Sequence, residues 1–375
     1  MKLTEFETKE QLDSHLESGE KLNNIVFQSL DLRDYTLNLL SEPLDNCIFL
    51  GCKIDPGIVD EIIYKGAMVF PPIDGLPYKA FRNSLYLPED LTKGLVPGNK
   101  ESINSMFDTL VFNHFEATGR SNPPGIKESF ARRLHDHSIT DALDEFLVDK
   151  KVVAIMGGHA IKRNEKEFSD VSLLSKKLTE RGYILASGGG PGAMEATHFG
   201  AWFSGRNEED FNKGLEIISE HPDYKEKYDW INSAMETKKK YPLIEQDGKL
   251  PKSLGVPTWV YGHEPPTIFA THIAKYFANS VREDGLLAIA HHGVVFTPGS
   301  AGTVQEIFQD GAQNHYRTSG VISPMVFLGK DFWTNKLPAY DLILRVSKNR
   351  DYQKMITLTD SIDDAADFIK NNPPE

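Results

Sequence analysis

The sequence predicts an α/β protein: a doubly wound, mostly parallel sheet with helices on both faces over residues 146–375, preceded by an N-terminal accessory region over residues 1–145. Three observations carry this expectation. From Lys151 onward, short apolar runs alternate with amphipathic stretches, which is the pattern of repeated βα units. Two of those runs end in glycine-rich turns that open helix-like segments, Ser187-Gly188-Gly189-Gly190-Pro191-Gly192 and Thr297-Pro298-Gly299-Ser300-Ala301-Gly302. Before about residue 145 the character differs, with short apolar spacings broken by prolines.

In the accessory region, apolar residues between Ile25 and Ile54 recur at about every fifth position. Phe27, Leu32, Leu37, Cys47 and Cys52 form one series; Ile25, Leu30, Tyr35, Leu40 and Leu50 form another. A beat of five fits neither helix nor strand, and points either to a few coils of a pentapeptide-type β-solenoid or to irregular strands and turns. Proline-containing segments follow at Phe70-Pro71-Pro72, Leu76-Pro77 and Leu87-Pro88, and residues 118–125 read as a loop. Residues 126–148 read as a helix with Phe130, Leu134, Ile139, Leu143 and Phe146 on one stripe.

The second region opens with a buried-type strand, Val152-Val153-Ala154-Ile155-Met156, that ends in Gly157-Gly158. A helix around Val171, Leu174 and Leu178 leads to the strand Tyr183–Ala186, the first glycine turn and a helix from Pro191. Residues 204–253 are polar and read as an insertion or surface helices. Thr258–Tyr261 reads as a strand and Ile268–Val281 as a helix ending near Arg282. On that helix His272, Tyr276, Asn279 and Arg282 would share a face. The strand Gly293–Phe296 enters the second turn, and a helix runs from Thr303 to His315. The strands Val326–Leu328 and Met355–Leu358, each followed by a helix, complete the chain.

Composition narrows the function classes. The chain has 375 residues, 40% hydrophobic and 25% charged, as expected for a globular protein with a sizeable core. Its net charge of -13 argues against nucleic-acid or anionic-membrane partners, which call for a basic surface. Cys47 and Cys52 do not form a CxxC pair, no His/Cys cluster has zinc spacing, and no metal is expected. Reduced, buried thiols and a cytoplasmic location are the expectation, with no apolar signal core and no run of membrane-span length.

The chemistry sits at the two turns. Glycines let a backbone approach a phosphate closely, and the N–H groups at a helix N-terminus point at it. The first turn matches neither the dinucleotide pattern GxGxxG nor the P-loop pattern GxxxxGK[ST]. It reads either as another kind of anion turn or as a tight strand–helix connection. In the second turn Thr303 either caps the helix or offers its hydroxyl to phosphate. Glu306 either closes a capping box or stands in the crevice as a carboxylate for ribose hydroxyls or water. Arg282 precedes that strand and is an anion-ligand candidate. Gly157, Gly188 and Gly299 all end strands, so one crevice can gather them. His291-His292, Arg132-Arg133, His135 and His137 read as surface or core residues.

At these loops the sequence resembles the LOG family, the Rossmann-like proteins once described as lysine decarboxylases, whose pattern is GGGxxGxM followed by PGGxGTxxE. Here the pattern reads Gly188-Gly189-Gly190-Pro191-Gly192-Ala193-Met194-Glu195 and Pro298-Gly299-Ser300-Ala301-Gly302-Thr303-Val304-Gln305-Glu306. The first loop is shifted by one residue, towards the GPGAMEA form of the larger nucleotide 5′-monophosphate nucleosidases, and Ser300 replaces a glycine of the second. The match spans about residues 150–330. Arg282 falls on the arginine of the family's Arg-Lys pair, while Glu283 stands at the lysine position.

The resemblance implies hydrolysis of the N-glycosidic bond of a nucleoside 5′-monophosphate to free base and ribose 5-phosphate. Glu306 and Arg282 would be catalytic. Gly157, Gly158, Gly188, Gly189, Gly190, Gly192, Met194, Glu195, Pro298, Gly299, Ser300, Ala301, Gly302 and Thr303 would bind the nucleotide and its phosphate. No cofactor is implied, and a homodimer or higher homo-oligomer is. A pyridoxal-phosphate decarboxylase fits poorly, since neither loop carries a lysine. The alternatives are a cytokinin riboside 5′-monophosphate phosphoribohydrolase, a non-catalytic nucleotide sensor, or a carrier of another phosphorylated ligand.

Overall fold

Every strand of this chain pairs only in parallel, in two separate sheets of four and seven strands. The computed structural model describes residues 3–375. Two compact units divide the chain: one holds the residues up to Leu85 together with Glu116–Phe146, the other holds Tyr86–Phe115 and Leu147–Glu375. Residues 86–115, on the N-terminal side of the boundary expected near 145, therefore group with the second unit.

In the first unit β1 (Thr4–Phe6), β2 (Ile25–Gln28), β3 (Ile48–Leu50) and β4 (Met68–Phe70) lie side by side in chain order. Helices α1 (Lys9–Ser18), α2 (Thr36–Ser41) and α3 (Val59–Tyr64) occupy the three connections. Thr4 faces Ile25, Val26 faces Ile48 and Ile48 faces Met68, so one coil takes 20 to 22 residues. Asn24, Asn46 and Gly66 enter β2, β3 and β4 at equivalent positions with φ of 57°, 56° and 100°, a left-handed step suited to Asn and Gly. Phe27 and Phe49 stack between coils with centroids 4.6 Å apart. The pentapeptide expectation is thus corrected: each coil is a strand plus a helix, and the beat of five is an incidental harmonic of the longer repeat. Cys47 and Cys52 are free and buried; burial pushes the Cys52 thiol up to about 12.

In the second unit β5 (Val152–Met156), β6 (Ile184–Ser187), β7 (Ser253–Gly255), β8 (His272–Ile273), β9 (Val294–Phe296), β10 (Met325–Leu328) and β11 (Ile356–Thr359) form the sheet. Their order is β11-β10-β9-β5-β6-β7-β8. All five residues of β5 are buried, which is why its sequence is uniformly apolar rather than alternating. Helices α4 (Pro88–Leu91), α5 (Phe107–Ala117), α6 (Ile126–Leu147), α7 (Lys166–Glu180), α8 (Ala193–Trp202), α9 (Glu208–Ser219) and α10 (Lys227–Lys240) follow along the chain; α6 lies almost entirely in the first unit. The C-terminal half adds α11 (Asn279–Ala288), α12 (Ala301–Tyr316), α13 (Ala339–Val346) and α14 (Ile362–Asn371). Helix α7 packs on α8 and α14, while α12 packs on α11 and α13, so the sheet carries two helical groups as a doubly wound fold requires. No helix of the described residues is long and apolar enough to cross a membrane.

Two expectations fail in this half. Thr258–Tyr261 is not a strand: Trp259–Tyr261 is a 3-10 turn begun by Thr258, whose hydroxyl accepts from the Val260 amide at 3.0 Å. Residues 268–278 are not helical either. Ile268, Phe269, Ala270, Ile273 and Ala274 are all buried, and His272–Ile273 joins the edge of the sheet beside β7. Burial on every side removes the polar stripe that distinguishes helix from strand.

Candidate functional site

The chain runs outward from β5 to β8 and then returns to place β9 on the other side of β5. That reversal leaves a crevice beyond the carboxyl ends of β5 and β9, the position where open parallel sheets bind ligands. The two strand ends are stitched together there. The Thr297 amide donates to the Met156 carbonyl at 2.8 Å and the Gly158 amide to the Pro298 carbonyl at 3.0 Å.

The first glycine turn closes on the same place. Gly192 has φ of 71°, and a β-carbon there would run into the backbone of Gly158 and His159. The Gly158 carbonyl instead accepts the Ala193 amide at 3.0 Å as α8 begins. Gly189 and Gly190 abut Pro257 and Glu264, and Met194 folds back over Gly188 and Gly190. The Ser187 hydroxyl oxygen accepts the Gly189 amide at 3.2 Å and lies 2.9 Å from His198 Nε2, which ties the turn to the buried face of α8.

Arg282 joins this turn to the second one. It lies in the first turn of α11, not at the end of a helix, and it does not share a helical face with His272 and Tyr276, which precede α11. Its Nε donates to the Val256 carbonyl at 2.9 Å, and its guanidinium lies over Gly188, where a β-carbon would displace it.

The second turn delivers Glu306. Ser300 is the N-cap of α12 and makes no side-chain cap bond, so the amides of the first helical turn keep their anion-facing character. Thr303 is buried with its side chain folded against Gly299, and neither Thr303 nor Glu306 makes a capping box. Pro298 and Gly299 lie at the crevice wall, while Ala301 and Gly302 are exposed at the helix start. Burial pushes the Glu306 carboxyl up to about 7; the nearby Arg282 pulls it down and Glu283 pushes it further up. No hydrogen bond or ion pair occupies that carboxylate among the described residues.

Glu195 does not turn towards the crevice. It is fully buried, and its two oxygens accept from Arg163 Nε at 2.8 Å and Nη2 at 2.5 Å. Arg163 also donates to the Trp230 carbonyl and the Ser233 hydroxyl, so Glu195 anchors the insertion helices. Arg132 is engaged inside the first unit, with Glu128 at 2.7 Å. Away from the crevice, His221, Glu226 and Asp229 bring three possible metal-ligand atoms within 4.8 Å of one another, although Asp229 already pairs with Lys100 at 2.5 Å.

Sequence reasoning missed one side of the pocket. Gly188, Gly189, Gly190, Met194 and Arg282 share it with Thr258, Tyr261, Glu264 and Lys275. Lys275 is 1% exposed and its ammonium is paired with Asp108 of α5, which also accepts from Trp259 Nε1 at 3.0 Å. No motif announces this pair: its members are far apart in sequence, and Lys275 lies in a stretch that reads as helix.

No protein-family model and no curated protein sequence matches the chain. Solved structures do. The molybdenum cofactor binding protein from the phototrophic bacterium Rippkaea orientalis is similar at 14% identity, over 60% of this chain and 98% of that one, with a TM-score of 0.37. The molybdenum cofactor carrier protein from Chlamydomonas reinhardtii is similar at 14% identity, over 59% of this chain and 97% of its own, with a TM-score of 0.35. The structural-genomics target TM1055 is similar at 18% identity, over 59% of this chain and 99% of its own, with a TM-score of 0.38.

Proposed function

We propose that the crevice binds a nucleoside 5′-monophosphate and hydrolyses its N-glycosidic bond, releasing free base and ribose 5-phosphate. The observation that carries this reading is the meeting of Arg282 and Glu306, from two helices, at the reversal point of the sheet beside two glycine turns. In this reading the amides from Gly299 to Thr303 hold the 5′-phosphate, whose binding energy is remote from the reacting bond. Glu306 lies alongside the ribose and stabilises the positive charge that develops at the anomeric carbon. It also takes a proton from the attacking water. The new bond from water oxygen to C1′ forms as the C1′–N bond breaks, and the base leaves with the bonding pair and is protonated. Arg282 balances the phosphate or the carboxylate. A carboxyl poised near 7 suits this role, because a base is most effective when its pKa lies close to the working pH.

The test is a panel of purine and pyrimidine monophosphates assayed for free base and ribose 5-phosphate, with Glu306→Gln and Glu306→Ala as controls. Turnover of at least one nucleotide is expected, falling about 100- to 10,000-fold in both variants. Nucleotide bound but never cleaved by the unaltered protein would sink the hydrolase reading and leave a binding protein. Full activity in Glu306→Ala would refute the role given to that residue.

A further inference from the structure

Glu283 sits where the resemblance calls for a lysine, and its surroundings give the carboxylate a defined place. Its Oε1 accepts from Asn279 Nδ2 at 2.7 Å, one turn earlier on α11. Its Oε2 accepts from Gln305 Nε2 at 3.0 Å, across the groove on α12. Both donors are neutral amides, so the contacts hold the carboxylate without cancelling its charge. A second bridge of the same kind, from Gln309 Nε2 to Asp284 Oδ1 at 3.0 Å, lies one turn further along. Arg282 and Glu306 are the immediate chain neighbours of the two residues in the first bridge.

We propose that Glu283 is a positioning residue for Glu306: bridged between Asn279 and Gln305, its fixed negative charge keeps α11 in register on α12 and favours the proton on the neighbouring carboxyl. The inference rests on Glu306 being the carboxylate that meets the ligand. Two carboxylates held close cannot both ionise freely, and the one with fewer hydrogen bonds keeps the proton. Here Glu283 has two amide donors and Glu306 has none among the described residues. The charges acting on Glu306 are Arg282, which opposes protonation, and Glu283, which favours it. Of the other elements packed on α12, β9 carries no charge, and Asp341, Arg345, Asp351 and Lys354 of α13 and residues 351–355 do not act on Glu306. Replacing Glu283 by the family's lysine would put a second cation beside Arg282, so this chain holds its carboxyl at a different proton occupancy from a site with the Arg-Lys pair.

The experiment is an NMR titration of the Glu306 side-chain carboxyl in the full-length protein, assigned with Glu306→Gln, repeated in Glu283→Gln and Glu283→Lys. Glu283→Gln should lower the Glu306 midpoint by about 1 pH unit, and Glu283→Lys should lower it further. Where nucleotide is hydrolysed, the acidic limb of the rate profile should move by the same amount, a shift that mere loosening of α11 would not produce. Gln305→Met, which removes one hold and leaves every charge in place, should give a smaller fall and serves if the Glu283 variants do not fold. An unchanged Glu306 midpoint in a folded Glu283→Gln or Gln305→Met protein overturns the inference. A protein that cleaves no nucleotide but shows the shift loses the hydrolase reading alone.

Discussion

Glu306 and Asp310 lie one turn apart on α12, and burial shifts both carboxyls the same way for different ends. Glu306 reaches about 7 at the mouth of the crevice, so its ionised form appears only as pH climbs through that value. The rate of nucleotide cleavage should therefore rise between about pH 6 and 8, as a profile of kcat/KM would reveal. Asp310 is fully enclosed, its Oδ2 has no partner, and desolvation pushes it to about 8. A carboxyl raised in the folded state holds a proton that the unfolded chain has already released. Its contribution to stability is complete below about pH 4 and is lost as pH rises towards 8, by about 1.4 kcal/mol per pH unit. Asp310→Asn removes that loss. Its thermal midpoint relative to the unaltered protein should climb steadily from pH 5 to pH 8; a constant difference would show that Asp310 finds a partner in solution.

Elements with a local signature were legible in the sequence. Strands β5, β6 and β9 carry unbroken apolar runs, and the glycine turns that follow them need no tertiary knowledge to be seen. The pairing of those turns in one crevice was readable too, because parallel strands must present their carboxyl ends together. The stretch from Thr258 to Val281 was not readable, since residues buried on every side lose the period that names an element. The coils of the first unit misled for the opposite reason: a repeat of 20 to 22 residues contains a shorter beat with no structural meaning. Glu195 lay within a motif and was counted with the site, yet its partner Arg163 comes from a loop without any motif. That ion pair fastens α8 to the insertion helices α9 and α10. Arg163→Met leaves a carboxylate stranded in the interior and should cost about 3–5 kcal/mol, read from the urea midpoint. A loss below 1 kcal/mol would mean that the insertion is held elsewhere.

At the scale of the molecule, the segment 86–115 matters more than its sequence suggests. It supplies Asp108, which compensates the buried Lys275 on the pocket wall. A fragment beginning at residue 147 would match the break in composition but would lack that partner, and it should unfold at lower temperature than the full chain or fail to fold. Asp108→Ala should destabilise the intact protein by about 3 kcal/mol, and the double variant Asp108→Ala/Lys275→Met by less, because removing both charges leaves nothing unpaired. Equal losses in the two variants would show that the charge pair is not what Asp108 contributes.

The interleaving of the two units also sets an order of events during synthesis. Strands β1 to β4 leave the ribosome first, but the unit they belong to is not complete until α6 follows, and residues 86–115 emerge in between. That intervening segment has to wait for partners as distant as Trp259 and Lys275. A nascent chain halted near residue 150 would therefore hold one finished unit with a tethered, unpaired loop of 30 residues between its two parts.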